Sequence, residues 1–98
     1  MPSGQPAIEA IPFIRDRLAD LERSPRDSVA SGRRAALWRA QAVAARSDRT
    51  IEDLRRYCLE MLNRNRRLDE ADSSYLGGYR EGFQLVFGEV RRLESRSG

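Results

Sequence analysis

From Pro12 onward, the apolar residues Phe13, Ile14, Leu18 and Leu21 recur at helical spacing, with Arg15, Asp16, Arg17, Asp20 and Glu22 on the remaining surface. Only a helix gathers such a set on one side, so a first helix is predicted from Pro12 to about Arg23. Ser24-Pro25-Arg26-Asp27 then reads as a helix start. A Ser N-cap accepts from an orphan backbone N–H, Pro at the first helical position loses no hydrogen bond, and an acid at the third stands in for a capping box. The second helix is predicted from Pro25 to Arg46. Gly32 inside it costs about 1 kcal/mol relative to Ala and marks where a break would fall. Its second half, Ala35 to Ala45, is apolar nearly all round, the pattern of a helix covered on more than one side.

Thr50-Ile51-Glu52-Asp53 repeats the cap logic, with Thr50 as N-cap and Asp53 at the third position, and opens a third helix predicted from Ile51 to Leu68. Ile51, Cys58 and Asn65 occupy one heptad core position and Leu54, Met61 and Leu68 the other. Asn65 either pairs with another polar group or sits at an open end of that seam. After a polar turn, a fourth helix is predicted from Ser74 to Arg92 or beyond. There Leu76, Phe83 and Val90 alternate with Tyr79, Val86 and Leu93, flanked by Tyr75 and Phe87.

The pattern specifies an all-α fold, a small helical bundle of about four helices in which helices 3 and 4 form a regular antiparallel hairpin. Leu54, Met61, Leu76, Tyr79, Phe83, Val86 and Val90 are the expected core. Pro2, Gly4 and Pro6 mark residues 1–11 as a flexible N-terminal tail, with Pro12 turning Ile11 away from helical geometry. Residues 12–94 are expected as a single helical domain, which suits a chain of 98 residues, and 95–98 as a frayed C-terminus.

Composition changes the picture mainly by exclusion. No run approaches the roughly 20 apolar residues of a membrane-spanning helix, and the first residues lack the basic and apolar regions of a signal peptide. Cys58 is the only cysteine, so no intrachain disulfide forms. A cytoplasmic protein is expected. All 18 basic residues are Arg, a bias that fits a GC-rich bacterial or phage genome. Residues 1–32 hold 4 Arg against 5 acids, residues 33–67 hold 10 against 4, and residues 68–98 hold 4 against 6, so the basic part is central.

The sequence has no histidine, which removes the commonest general base and the commonest nitrogen ligand for metals. No catalytic residue, cofactor site or metal site is predicted, and the protein is read as a non-enzyme. Cys58 falls at a heptad core position and is expected as a buried, inert thiol. Asp69-Glu70-Ala71-Asp72 spells a helicase motif, but no phosphate-binding Gly-Lys-Ser/Thr loop accompanies it, so it reads as a solvated turn.

The fourth helix carries Gly77, Gly78, Gly82 and Gly88, a cost of about 3–4 kcal/mol relative to alanine that something must offset. Gly78 and Gly82 form a notch beside the aromatic stripe, open either to the monomer interior, with Trp38 as one candidate to fill it, or to a second chain. Gly77 and Gly88 lie on the opposite face. The partner-binding residues expected are Trp38, Tyr75, Gly78, Gly82 and Phe87. The function expected is protein binding, as an adaptor, regulator or phage-type inhibitor, with a homodimer formed through helix 4 and the Trp38 side of helix 2.

The alternative is nucleic-acid binding through the arginine-rich centre, with Arg55, Arg56, Arg64, Arg66 and Arg67 as phosphate contacts. Against it, Glu52, Asp53 and Glu60 are interleaved, and a helical wheel scatters the arginines.

Overall fold

In the structure, a computed structural model that describes residues 5–64 and 73–97, a short 3-10 turn (Ala7–Ala10) leads directly into α1 (Ile11–Glu22). There follow α2 (Ser28–Ala44), α3 (Ile51–Arg64) and α4 (Ser73–Ser97). Among the described residues the only extended pairing is an isolated antiparallel bridge between Pro6 and Thr50. None of the described helices is long and apolar enough to cross a membrane.

The capping box of α3 forms as its sequence predicts. The Asp53 N–H donates to the Thr50 hydroxyl at 3.2 Å, and the Thr50 N–H donates to the Asp53 carboxylate at 3.0 Å. The start of α2 is displaced. Asp27, not Ser24, is the N-cap, and its carboxylate accepts from the Ala30 N–H at 2.8 Å. An ionised carboxylate is the stronger acceptor for those orphan donors. The Ser24 hydroxyl turns back to the Asp20 carbonyl and helps close α1 instead.

Residues 5–11 belong to the fold, not to a tail. The Ala7 N–H donates to the Arg49 carbonyl at 3.0 Å, and the Gln5 carbonyl accepts from the Ile51 N–H at 2.8 Å. The Gln5 amide also reaches the Leu93 carbonyl, and Ala7 and Ala10 are fully buried. Small side chains let this strap lie flat across the start of α3 and the far end of α4. Ile11 is helical despite the proline after it, with φ −58° and ψ −46°. At the other end α4 runs on through Ser97, past the Arg92 at which its predicted span is anchored, and Gly98 lies outside the described residues. The predicted third-helix extension to Leu68, including Asn65, and the Asp69–Asp72 turn lie outside the described residues.

Helix α4 is the axis of the bundle. Tyr79, Phe83, Val86, Val90 and Leu93 are buried beside Ile51, Leu54, Cys58 and Met61 of α3, the expected seam. Tyr57 meets Phe83 while Arg55 meets Glu94, so α3 and α4 run antiparallel. Leu76 is only half-buried, a correction to the expected core. The most extensive contact, however, is between α2 and α4, which run parallel. Gly32 faces Gly78, Ala36 faces Gly82, and Arg33 pairs with Glu81.

Candidate functional site

The glycine notch is filled from within the chain. A Cβ built on Gly82 would lie 2.6 Å from the Ala36 Cβ and 3.0 Å from the Arg33 carbonyl oxygen. One on Gly78 would run into the backbone of Val29, 2.9 Å from its Cα. One on Gly32 would lie 2.6 Å from the Tyr79 nitrogen. The notch therefore receives the backbone of α2, and Gly78 and Gly82 are not exposed to a partner. Gly77 and Gly88 face open space.

Trp38 is not the residue that fills the notch. It lies on the side of α2 turned away from α4 and is 57% exposed, more than any other large hydrophobic side chain described. With 3.6 residues per turn, the buried set Ala30, Gly32, Ala36, Leu37, Ala40 and Ala44 takes up one side of α2. On the other, Ala35, Trp38, Ala42 and Ala45 line up as a stripe, with Ala42 and Ala45 exposed and Ala35 half-buried. Arg34 borders this stripe on one edge and Arg39 and Arg46 on the other. The all-round apolar character of α2, read as cover on more than one side, thus divides into a buried half and an uncovered half.

No acid occurs from Ser28 to Ser47, so α2 itself contributes only basic charge beside the stripe, while Asp53 and Glu60 of α3 share a groove with Arg46 on one edge. Arg46 approaches Asp48 only at 4.0 Å, with both side chains well exposed. Arg39 lies beside the hydroxyls of Tyr57 and Tyr79. Burial pushes both phenols above their ordinary value, and the Arg39 guanidinium offsets part of the rise.

The remaining expected site residues are not gathered at Trp38. Tyr75 is half-buried and stacks on Tyr79 with centroids 6.1 Å apart, and Phe87 is half-buried against the core. Arg55 pairs with Glu94 at 3.2 Å and Arg56 with Glu52 at 2.9 Å. Arg64 is exposed at the end of α3, while Arg66 and Arg67 lie outside the described residues.

Other chemistry is sparse. Cys58 is fully enclosed, and burial pushes its thiol up to about 12. Among the described residues no three His, Cys, Asp or Glu side chains are grouped to hold a metal ion. A groove of about 950 Å³ between α1 and the far half of α4 is lined by Phe13, Asp16, Glu89 and Arg96. Its most buried carboxylate, Glu89, receives two hydrogen bonds from Arg92, at 2.9 and 2.7 Å.

Sequence reasoning missed Arg34, Ala42 and Ala45 as neighbours of Trp38. The signal was the acid-free stretch combined with a wheel of α2 centred on Trp38. No protein family matches the chain, and no curated protein or solved structure matches it either.

Proposed function

We propose that the protein is a non-catalytic, cytoplasmic protein-binding module, an adaptor, regulator or inhibitor of the phage type, that acts by occupying a partner's surface through the outward face of α2. The observation that carries this reading is Trp38, an indole held 57% exposed on a rigid helix among alanines. Burying an exposed aromatic against a partner is worth several times what a rim charge is worth, and Trp and Arg are the residues most enriched where binding energy concentrates. The chain's other aromatic side chains are at least half-buried.

The Gly78 and Gly82 notch that favoured a homodimer is taken up inside the chain, so of the surfaces expected to form the dimer the Trp38 face is the one that keeps an exposed aromatic anchor. Nucleic-acid binding has less support, because Arg33, Arg55 and Arg56 each hold an acid of the same chain. The test is affinity capture from source-cell lysate with parent and Trp38→Ala protein, with and without nuclease. A protein retained by the parent, lost with the variant and indifferent to nuclease is the expected result. Equal retention by both, or loss on nuclease treatment, would refute the reading.

A further inference from the structure

Resting on the protein-binding reading above, we infer that the partner element seated on α2 is an acidic amphipathic helix, its apolar stripe on Ala35, Trp38, Ala42 and Ala45 and its carboxylates toward Arg34 and Arg46. The geometry and the charge each select this occupant. Alanines around a single large ring leave shallow relief along the helix axis, which admits a second helix at close approach with Trp38 as the knob. Arginines on both edges of an apolar centre, Arg34 on one side and Arg39 and Arg46 on the other, with no acid on α2 itself to oppose them, complement a helix carrying acids on both flanks of its own stripe.

The same charge disfavours a second copy of the chain. In a two-fold contact of α2 on α2, the arginines of one copy would face those of the other. The single ring, not the charge, distinguishes the helix from a nucleic acid, which needs phosphate contacts and stacking surfaces along a track, whereas one ring among alanines offers a single stacking platform.

The experiment replaces Ala42, which is exposed, with a photo-crosslinking phenylalanine analogue in the full chain, irradiates source-cell lysate, and identifies the crosslinked segment by mass spectrometry. The expected segment is helical in pattern and net acidic, and capture weakens as salt rises. Ala42→Glu and Arg34→Glu should each reduce capture on the order of tenfold while leaving the far-ultraviolet circular dichroism unchanged. A crosslink to the chain's own sequence, to nucleic acid, or to a neutral or basic protein segment overturns the inference. So does nuclease-resistant protein capture that survives both variants. In those protein-capture outcomes the broader reading stands, whereas failure to capture any protein through Trp38 defeats both.

Discussion

Gly32 of α2 and Gly78 of α4 lie so close that a Cβ on Gly32 would stand 3.1 Å from the Gly78 carbonyl carbon. Neither helix can carry a side chain at this crossing without moving the other's backbone, which explains why two glycines persist inside helices that alanine would otherwise favour. The intramolecular placement has a direct test. Gly32→Ala should lose about 1–3 kcal/mol by overpacking, and Gly82→Leu more than that. Light scattering together with circular dichroism should show Gly82→Leu losing helicity with no earlier fall in mass, since the notch is not a subunit contact.

Gly77 and Gly88 give the opposite sign. Both are exposed, with no neighbouring atom within 4 Å of an added Cβ, so only helix propensity is at stake. Gly77→Ala and Gly88→Ala should each raise stability by roughly 0.5–1 kcal/mol in urea melts. Destabilisation at either would mean that this face is covered.

Phe83 anchors the other side of α4. It is fully buried, with Tyr57 edge-on at 5.7 Å and Tyr79 edge-on at 5.1 Å between ring centroids. Phe83→Ala should cost roughly 3–5 kcal/mol, since the two tyrosines are held by their own helices and cannot collapse into the space. A loss under about 1 kcal/mol would show that the α3–α4 seam is not the core.

Periodicity made the α3–α4 seam legible because Leu54, Cys58, Met61, Phe83, Val86 and Val90 are large and regularly spaced. The α2–α4 contact was not legible in the same way. It is built from Gly32, Ala36, Gly78 and Gly82, whose contribution is the absence of a side chain, and apolar periodicity does not register absence. Matching pairs of small residues four apart on both helices were the available signal. The buried strap escaped for a related reason. Ala7 and Ala10 are too small to mark a core, and the strap's hydrogen bonds to Arg49 and Ile51 join segments distant in sequence. The Trp38 face was named through its indole, but its outward direction follows only from knowing which side of α2 meets α4.

The capping box should make stability fall in acid through one identifiable carboxylate. The backbone N–H of Thr50 holds Asp53 below the ordinary 3.8 of an aspartate. As pH falls, the unfolded chain takes up this proton first, so the stabilisation is complete above about pH 3.8 and is lost as pH drops through the lower folded value. Urea midpoints measured from pH 5 to pH 2 should therefore slope less steeply for Asp53→Asn than for the parent. Thr50→Ala should keep most of that slope, because the main cause of the shift is a backbone donor that alanine retains.

Trp38 is the chain's only tryptophan, so its fluorescence reports this face without labelling. An indole 57% exposed should emit near the wavelength of the free side chain and be quenched freely by acrylamide. Trp38→Ala removes little that the fold uses, since the ring lies on the side of α2 away from α4, and stability should change by less than about 0.5 kcal/mol. That combination separates a contact residue from a structural one. A structural tryptophan would be shielded from quencher and costly to truncate, whereas a contact residue is quenched, cheap to truncate and required for capture. Dilution from high to low micromolar concentration adds the last discrimination. Emission that stays constant means that the face is open in the free protein, as the arginines on its edges require. Emission that is blue-shifted when concentrated and moves to the red on dilution would show a second copy covering Trp38, and would return the homodimer to first place.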